Sequence, residues 1–153
     1  MKTQKDIYKN PYIWWSRIVL TLVFAWNVLC AIDFIFTPDN FIGSYELAGI
    51  SGKIAIQGLG IAFLMWNVTY PMAIMNPVKY IVLYRIILIQ QLIGLIGETI
   101  LLFSLDAEHY ILIGSLQRFV LFDSVGFILM LTTYLLVEVR RYHGRSQITV
   151  ENK

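Results

Sequence analysis

The sequence predicts an all-α fold: a four-transmembrane-helix bundle, up-down in topology, with both termini cytoplasmic. Three observations carry that prediction. The 153 residues are 58% hydrophobic and only 14% charged, with a mean hydropathy of +0.66, whereas soluble domains hold about 25% charged and about 45–50% apolar residues. Four apolar runs each reach the roughly 20 residues that a helix needs to cross about 30 Å of hydrocarbon. The basic residues fall mainly on one side of those runs. The same composition excludes disorder, collagen and a disulfide scaffold. A formal net charge of +2 is too small to point to nucleic acid.

The first span is expected over 13–36. It follows a basic start (Lys2, Lys5, Lys9), as in a signal peptide. The run is too long for a signal core and no small-x-small cleavage pattern follows it, so it reads as a retained helix. Thr37-Pro38-Asp39-Asn40 stops it. An outer segment, 40–50, then reads either as a plain loop or as a short surface helix carrying Phe41, Ile42 and Tyr45, with Asp39 as its cap. The second span is expected over 54–75. Pro71 should kink it beside Asn67 and Thr69, and Gly58 and Ala62 form a small-xxx-small pair for close helix approach. Asn76-Pro77 turns the chain into a third span, 80–103. Asp106-Ala107-Glu108-His109 separates that from a fourth, 119–139, which the apolar stretch 111–114 allows to begin as early as Tyr110. A polar, basic tail, 140–153, closes a single integral membrane domain.

Orientation follows from the cations. Lys2, Lys5, Lys9, Arg17, Lys79, Arg85, Arg140, Arg141, Arg145 and Lys153 lie on one side, ten of the 12 lysines and arginines; Lys53 and Arg118 lie on the other. The positive-inside rule makes the richer side cytoplasmic. Tyr12, Trp14, Trp15, Tyr80, Tyr84 and Tyr142 form an inner aromatic belt, and Phe41, Tyr45 and Tyr110 an outer one. The expected location is the plasma (inner) membrane, with the lipid bilayer as the first partner, membrane proteins or further copies of this chain as others, and no nucleic acid.

Polar groups inside the spans are the informative exceptions, because a charge at the bilayer centre costs about 2.5–3.5 kcal/mol on insertion scales. Asp33, Gln57, Glu98, Arg118 and Asp123 fall at a similar depth, in the outer third, on four different helices. On the third span Gln90, Gly94 and Glu98 recur every fourth residue, with Gln91 and Gly97 alongside. On the second, Gln57, Gly60, Leu64, Asn67 and Pro71 share a stripe, and on the fourth Asp123 and Gly126 lie one turn apart. Turned inward, these faces would place Asn67, Gln90 and Gln91 in a central layer and the charged groups in an outer one. Two readings stand side by side. In one, Glu98 and Asp123 take a proton or a cationic group and Arg118 holds an anion or tunes a carboxylate. In the other, Arg118 pairs with Glu98 or Asp123 as structural glue between helices.

Several chemistries have no residues to carry them. His109 and His143 lie outside the spans, so there is no intramembrane histidine pair for haem and no metal-ligand cluster. No phosphate-binding glycine loop and no nucleophile elbow is present. The single cysteine, Cys30, admits no internal disulfide and packs as a small hydrophobe. No catalytic residue and no cofactor is assigned; a quinone or a lipid is the class of molecule such a bundle would accept.

The layout resembles the DoxX-like group of small four-helix membrane proteins. The likeness lies in a first span ended by Pro38, a short outer segment (41–49), the glycine-rich Gln57-Gly58-Leu59-Gly60-Ile61-Ala62-Phe63-Leu64, and a Pro77-containing inner turn before a third span. It covers roughly residues 18 to 137. Some members look like subunits of sulfur or quinone oxidation systems or of redox-stress complexes. The resemblance therefore implies an accessory membrane subunit, and it carries over no catalytic residue. Three functional expectations result: a non-catalytic accessory or scaffold subunit; a small-ligand or proton-coupled transport component using Glu98, Arg118 and Asp123; and a quinone- or lipid-linked enzyme with Glu98 or Asp123 as acid or base.

Overall fold

The computed structural model describes residues 11–151, with side chains as far as residue 139. Lys2, Lys5, Lys9 and Lys153 lie outside the described residues, and the side chains of Arg140, Arg141, Tyr142, His143 and Arg145 are not described. Among the described residues every regular element is helical. In chain order these are α1 (Pro11–Phe36), α2 (Asp39–Ile42), a single 3₁₀ turn (Gly43–Tyr45), α3 (Gly49–Asn67), α4 (Tyr70–Met75), α5 (Ile81–Ser104) and α6 (Tyr110–Glu151). Four stretches are long and apolar enough to cross a membrane: Pro11–Phe36, Gly49–Met75, Ile81–Ser104 and Tyr110–Val139.

The boundaries follow the local chemistry. Pro38 closes α1 and occupies the position before α2, where no side chain caps the helix. Asp39 is not the cap expected of it; its carboxylate reaches Lys53 Nζ at 2.7 Å and ties the outer segment to α3. The segment also folds onto the bundle: the Phe41 and Tyr45 rings meet the Phe34 ring edge-on, with centroids 4.7 and 6.0 Å apart. The second span is two helices. Pro71 sits in the first turn of α4, and the chain breaks between Asn67 and Tyr70. Proline has no N–H to bond the carbonyl four residues back, so a continuous helix is interrupted where the sequence places the kink. The last helix starts at Tyr110, the earlier of the two starts the sequence allowed.

Helix α3 packs on α1 through Gly60. A methyl group there would lie 2.8 Å from the Ala31 carbonyl oxygen and 2.8 Å from Ile35 Cγ1, so only glycine permits this approach. Gly58, expected to provide it, has nothing within 4 Å of a methyl group in its place. Below this contact lies a closed core of Val19, Leu20, Val23, Tyr70, Ala73, Tyr84, Ile87, Leu88 and Met130. The buried Tyr84 hydroxyl donates to the Met130 carbonyl (2.9 Å) and shares a hydrogen bond with Thr133 Oγ1 (2.7 Å), joining α5 to α6. The next residue, Arg85, donates to the Tyr134 hydroxyl (2.6 Å) and to Glu138 (2.8 Å).

Candidate functional site

The Glu98 half of the bundle is built differently. Helix α5 brings Gln91, Gly94 and Glu98 to one face by three- and four-residue steps. Opposite them α6 supplies Phe119, Phe122 and Asp123, α3 supplies Phe63, Trp66 and Asn67, and α1 supplies Trp26, Asn27 and Cys30. Together these line a chamber of about 70 Å³. Gly94 leaves room for Asp123: a methyl group on it would stand 3.2 Å from Asp123 Oδ2. The Gln91 amide donates to Asp123 Oδ1 at 2.8 Å. The Asn67 side chain, 4% exposed, donates to the Phe63 carbonyl at 2.8 Å. Its own oxygen, Oδ1, is buried without a hydrogen-bond partner, and so is Glu98 Oε2.

A larger cavity of about 320 Å³ adjoins the chamber. The two share Trp26, Cys30, Phe119 and Phe122, and the Trp26 and Phe122 rings stack with centroids 5.6 Å apart. We call this larger space the vestibule. Its remaining wall comes from Phe34, from Asn40, Phe41, Ser44 and Tyr45 of the outer segment, and from Ser115 and Arg118. The outer segment is clasped to the start of α6 at two points. Ser115 Oγ donates to the Ser44 carbonyl at 2.7 Å. The Glu46 carboxylate meets His109 Nδ1 at 2.6 Å and accepts from the Leu112 amide at 3.3 Å. Glu46 reaches both through a left-handed backbone, φ 53°. The contact holds the Glu46 carboxyl below its ordinary value, chiefly through the hydrogen bond to His109. It raises the His109 imidazole, chiefly through the same bond, with Glu108 and Asp106 adding to the effect.

The eight candidate residues separate into three groups. Asn67, Gln91, Glu98 and Asp123 come together in the chamber. Arg118 lines the vestibule and donates to the Gly114 carbonyl (3.2 Å) and Ser115 Oγ (3.4 Å). Among the described residues it forms no ion pair with Glu98 or Asp123, so the glue expected of it is not made. Asp33, Gln57 and Gln90 line neither space. Asp33 is exposed, Gln57 donates to the Ile35 carbonyl at 3.0 Å as an interhelical bond, and Gln90 Oε1 is buried elsewhere. The inward face of α5 thus runs through Gln91 rather than Gln90, and Gly97 is open on the other side.

Sequence reasoning missed Asn27 and the aromatic walls. Asn27 carried a signal, a polar residue in the middle of an apolar run, of the kind that singled out Asn67. Trp26, Phe63, Trp66, Phe119 and Phe122 carried none, since an aromatic residue in a spanning helix suits lipid, core or ligand equally. Among the described residues no group of histidine, cysteine, aspartate and glutamate is placed to hold a metal ion. Comparison with protein-family models, with curated proteins and with solved structures finds no match to this chain.

Proposed function

We propose that this multi-pass membrane protein binds a small ligand inside its bundle, as a ligand-binding or transport component. One observation carries the reading: Glu98, Asn67 and Asp123 share a chamber in which two buried oxygens have no partner, and among the described residues no arginine pairs with either carboxylate. Buried polar groups are normally satisfied, and ionisable groups within spans usually mark binding or transport paths. A purely structural accessory subunit has less support, because Arg118 bonds its own helix instead. A ligand-holding subunit of a larger membrane complex is consistent with both the chamber and the DoxX-like layout.

An up-down bundle with cytoplasmic termini in the plasma membrane is part of the same proposal. The contact pairs Phe24–Tyr70 and Phe34–Phe63 support it, as do Tyr84–Met130 and Gln91–Asp123, since one number rises as the other falls. The ten-to-two division of basic residues supports the orientation. A reporter active only outside the cytoplasm, fused after Lys153, should be silent; activity overturns the orientation.

The binding reading is tested by native mass spectrometry of the protein released from lipid nanodiscs. A small molecule retained by the wild type and lost in Gly94→Leu, which fills the chamber beside Asp123, supports it. Equal retention in both proteins, or none in either, overturns it.

A further inference from the structure

We infer that the chamber takes an organic cation: an ammonium group carried on an apolar or aromatic body. The inference rests on the chamber being a ligand site and goes on to name what enters it. The argument begins with hydrogen-bond accounting. The Asn67 and Gln91 amides each spend an N–H within the protein, on the Phe63 carbonyl and on Asp123. The chamber's buried side-chain atoms that have no partner are both oxygens, Asn67 Oδ1 and Glu98 Oε2. Asn67 is 4% exposed and lines the chamber, so its oxygen is not served by bulk solvent. A ligand that fits must bring donors.

Charge narrows the class further. Glu98 and Asp123 line one chamber, and among the described residues no lysine, arginine or histidine forms an ion pair with either. An anion is repelled there, while a cation supplies the missing counter-charge. The apolar walls agree, because the faces of tryptophan and phenylalanine rings attract ammonium groups through their quadrupole, and Trp26, Trp66 and Phe122 line the chamber. Size places the two ends of the ligand. About 70 Å³ admits a small head group, whereas the adjoining vestibule of about 320 Å³ falls in the range of pockets that hold organic molecules, roughly 300–1,000 Å³. The head therefore lies at Glu98 and Asp123, and the body lies along Phe119 and Phe34.

The test uses three probes with the same body: phenylbutylamine, phenylbutanol and phenylbutyrate. Binding is measured on the protein in phosphatidylcholine nanodiscs, with empty discs subtracted. The amine should bind at least about tenfold more tightly than the alcohol, and the acid should not compete. Glu98→Gln should remove the preference for the amine while leaving alcohol binding in place. Should Glu98→Gln fail to insert, Asp123→Asn, which keeps an acceptor for Gln91, should lower the same preference. Equal binding of amine and alcohol by the wild type overturns the cation assignment and leaves the ligand chamber standing. A preference that survives both substitutions also overturns it. Failure of all three probes to bind the wild type counts against the chamber itself.

Discussion

The two ends of α5 treat their polar side chains in opposite ways. At Tyr84 the hydroxyl has two partners on α6, and large apolar residues close around it. At Glu98, about four turns from Tyr84, one carboxylate oxygen is buried with no partner and a chamber stands open beside it. Both groups sit on the same helix and face the same neighbour. The first is a saturated hydrogen-bond network, which fixes how α5 and α6 pack. The second leaves acceptors unused, and an unused buried acceptor costs stability that a ligand can return. Stability and ligand binding should therefore separate along this helix.

The sharpest way to break that contrast is Tyr84→Ala. Removing a wholly buried ring should cost about 3 kcal/mol or more, read as a lowered midpoint in detergent-denaturant unfolding. A loss below about 1 kcal/mol, the range of an ordinary hydrogen bond, would mean that this end is no better packed than the other. Next comes Gly60→Ala. The added methyl meets backbone at 2.8 Å, so α1 and α3 must separate, at about 1–3 kcal/mol; Gly58→Ala, with open space at the same point, is the control and should cost nothing. Glu98→Gln should change stability by about 1 kcal/mol or less, in either direction, because no partner is lost. A large destabilisation would show that Glu98 belongs to the packing after all.

The smallest effect is one of pH, at the clasp between the outer segment and α6. His109 is raised above its ordinary 6.5, so its contribution is full below 6.5 and is lost as pH rises through its folded value. Glu46 is lowered beneath its ordinary 4.5, so its contribution is present above 4.5 and is lost as pH falls through its folded value. The clasp should be tightest between about 4.5 and 6.5. Hydrogen exchange of the Glu46 and Leu47 amides should be most protected in that window, after correction for the intrinsic pH dependence of exchange. A profile identical to that of His109→Gln would remove the clasp from the account.

Much of this architecture was legible in the residues. Spans of apolar side chains announce themselves by length, and the break at Pro71 follows from a missing N–H, so both are readable from the residues alone. The chamber was half legible. Polar residues in apolar runs are rare enough to single out Glu98, Asp123, Asn67 and Gln91. Their partners were not readable, because hydrogen-bond geometry depends on helix rotation. Gln90 and Gln91 are adjacent, and a rotation of about 100° per residue decides which of them faces Asp123. Arg118 shows the same limit: its long side chain can reach several groups, and it bonds its own helix. Gly58 and Gly60 have similar sequence surroundings, and only packing distinguishes the one that α1 crosses.

The break after Asn67 has an architectural consequence. Helix α3 walls the chamber with Phe63, Trp66 and Asn67, while α4 anchors in the closed core through Tyr70 and Ala73. Val68 and Thr69 keep a right-handed backbone between the two helices, and Pro71 has no N–H to offer the Asn67 carbonyl, so the ladder loses a rung where the chamber wall passes into the core. One interrupted span thus serves both halves of the bundle, walling the chamber before the break and closing the core after it.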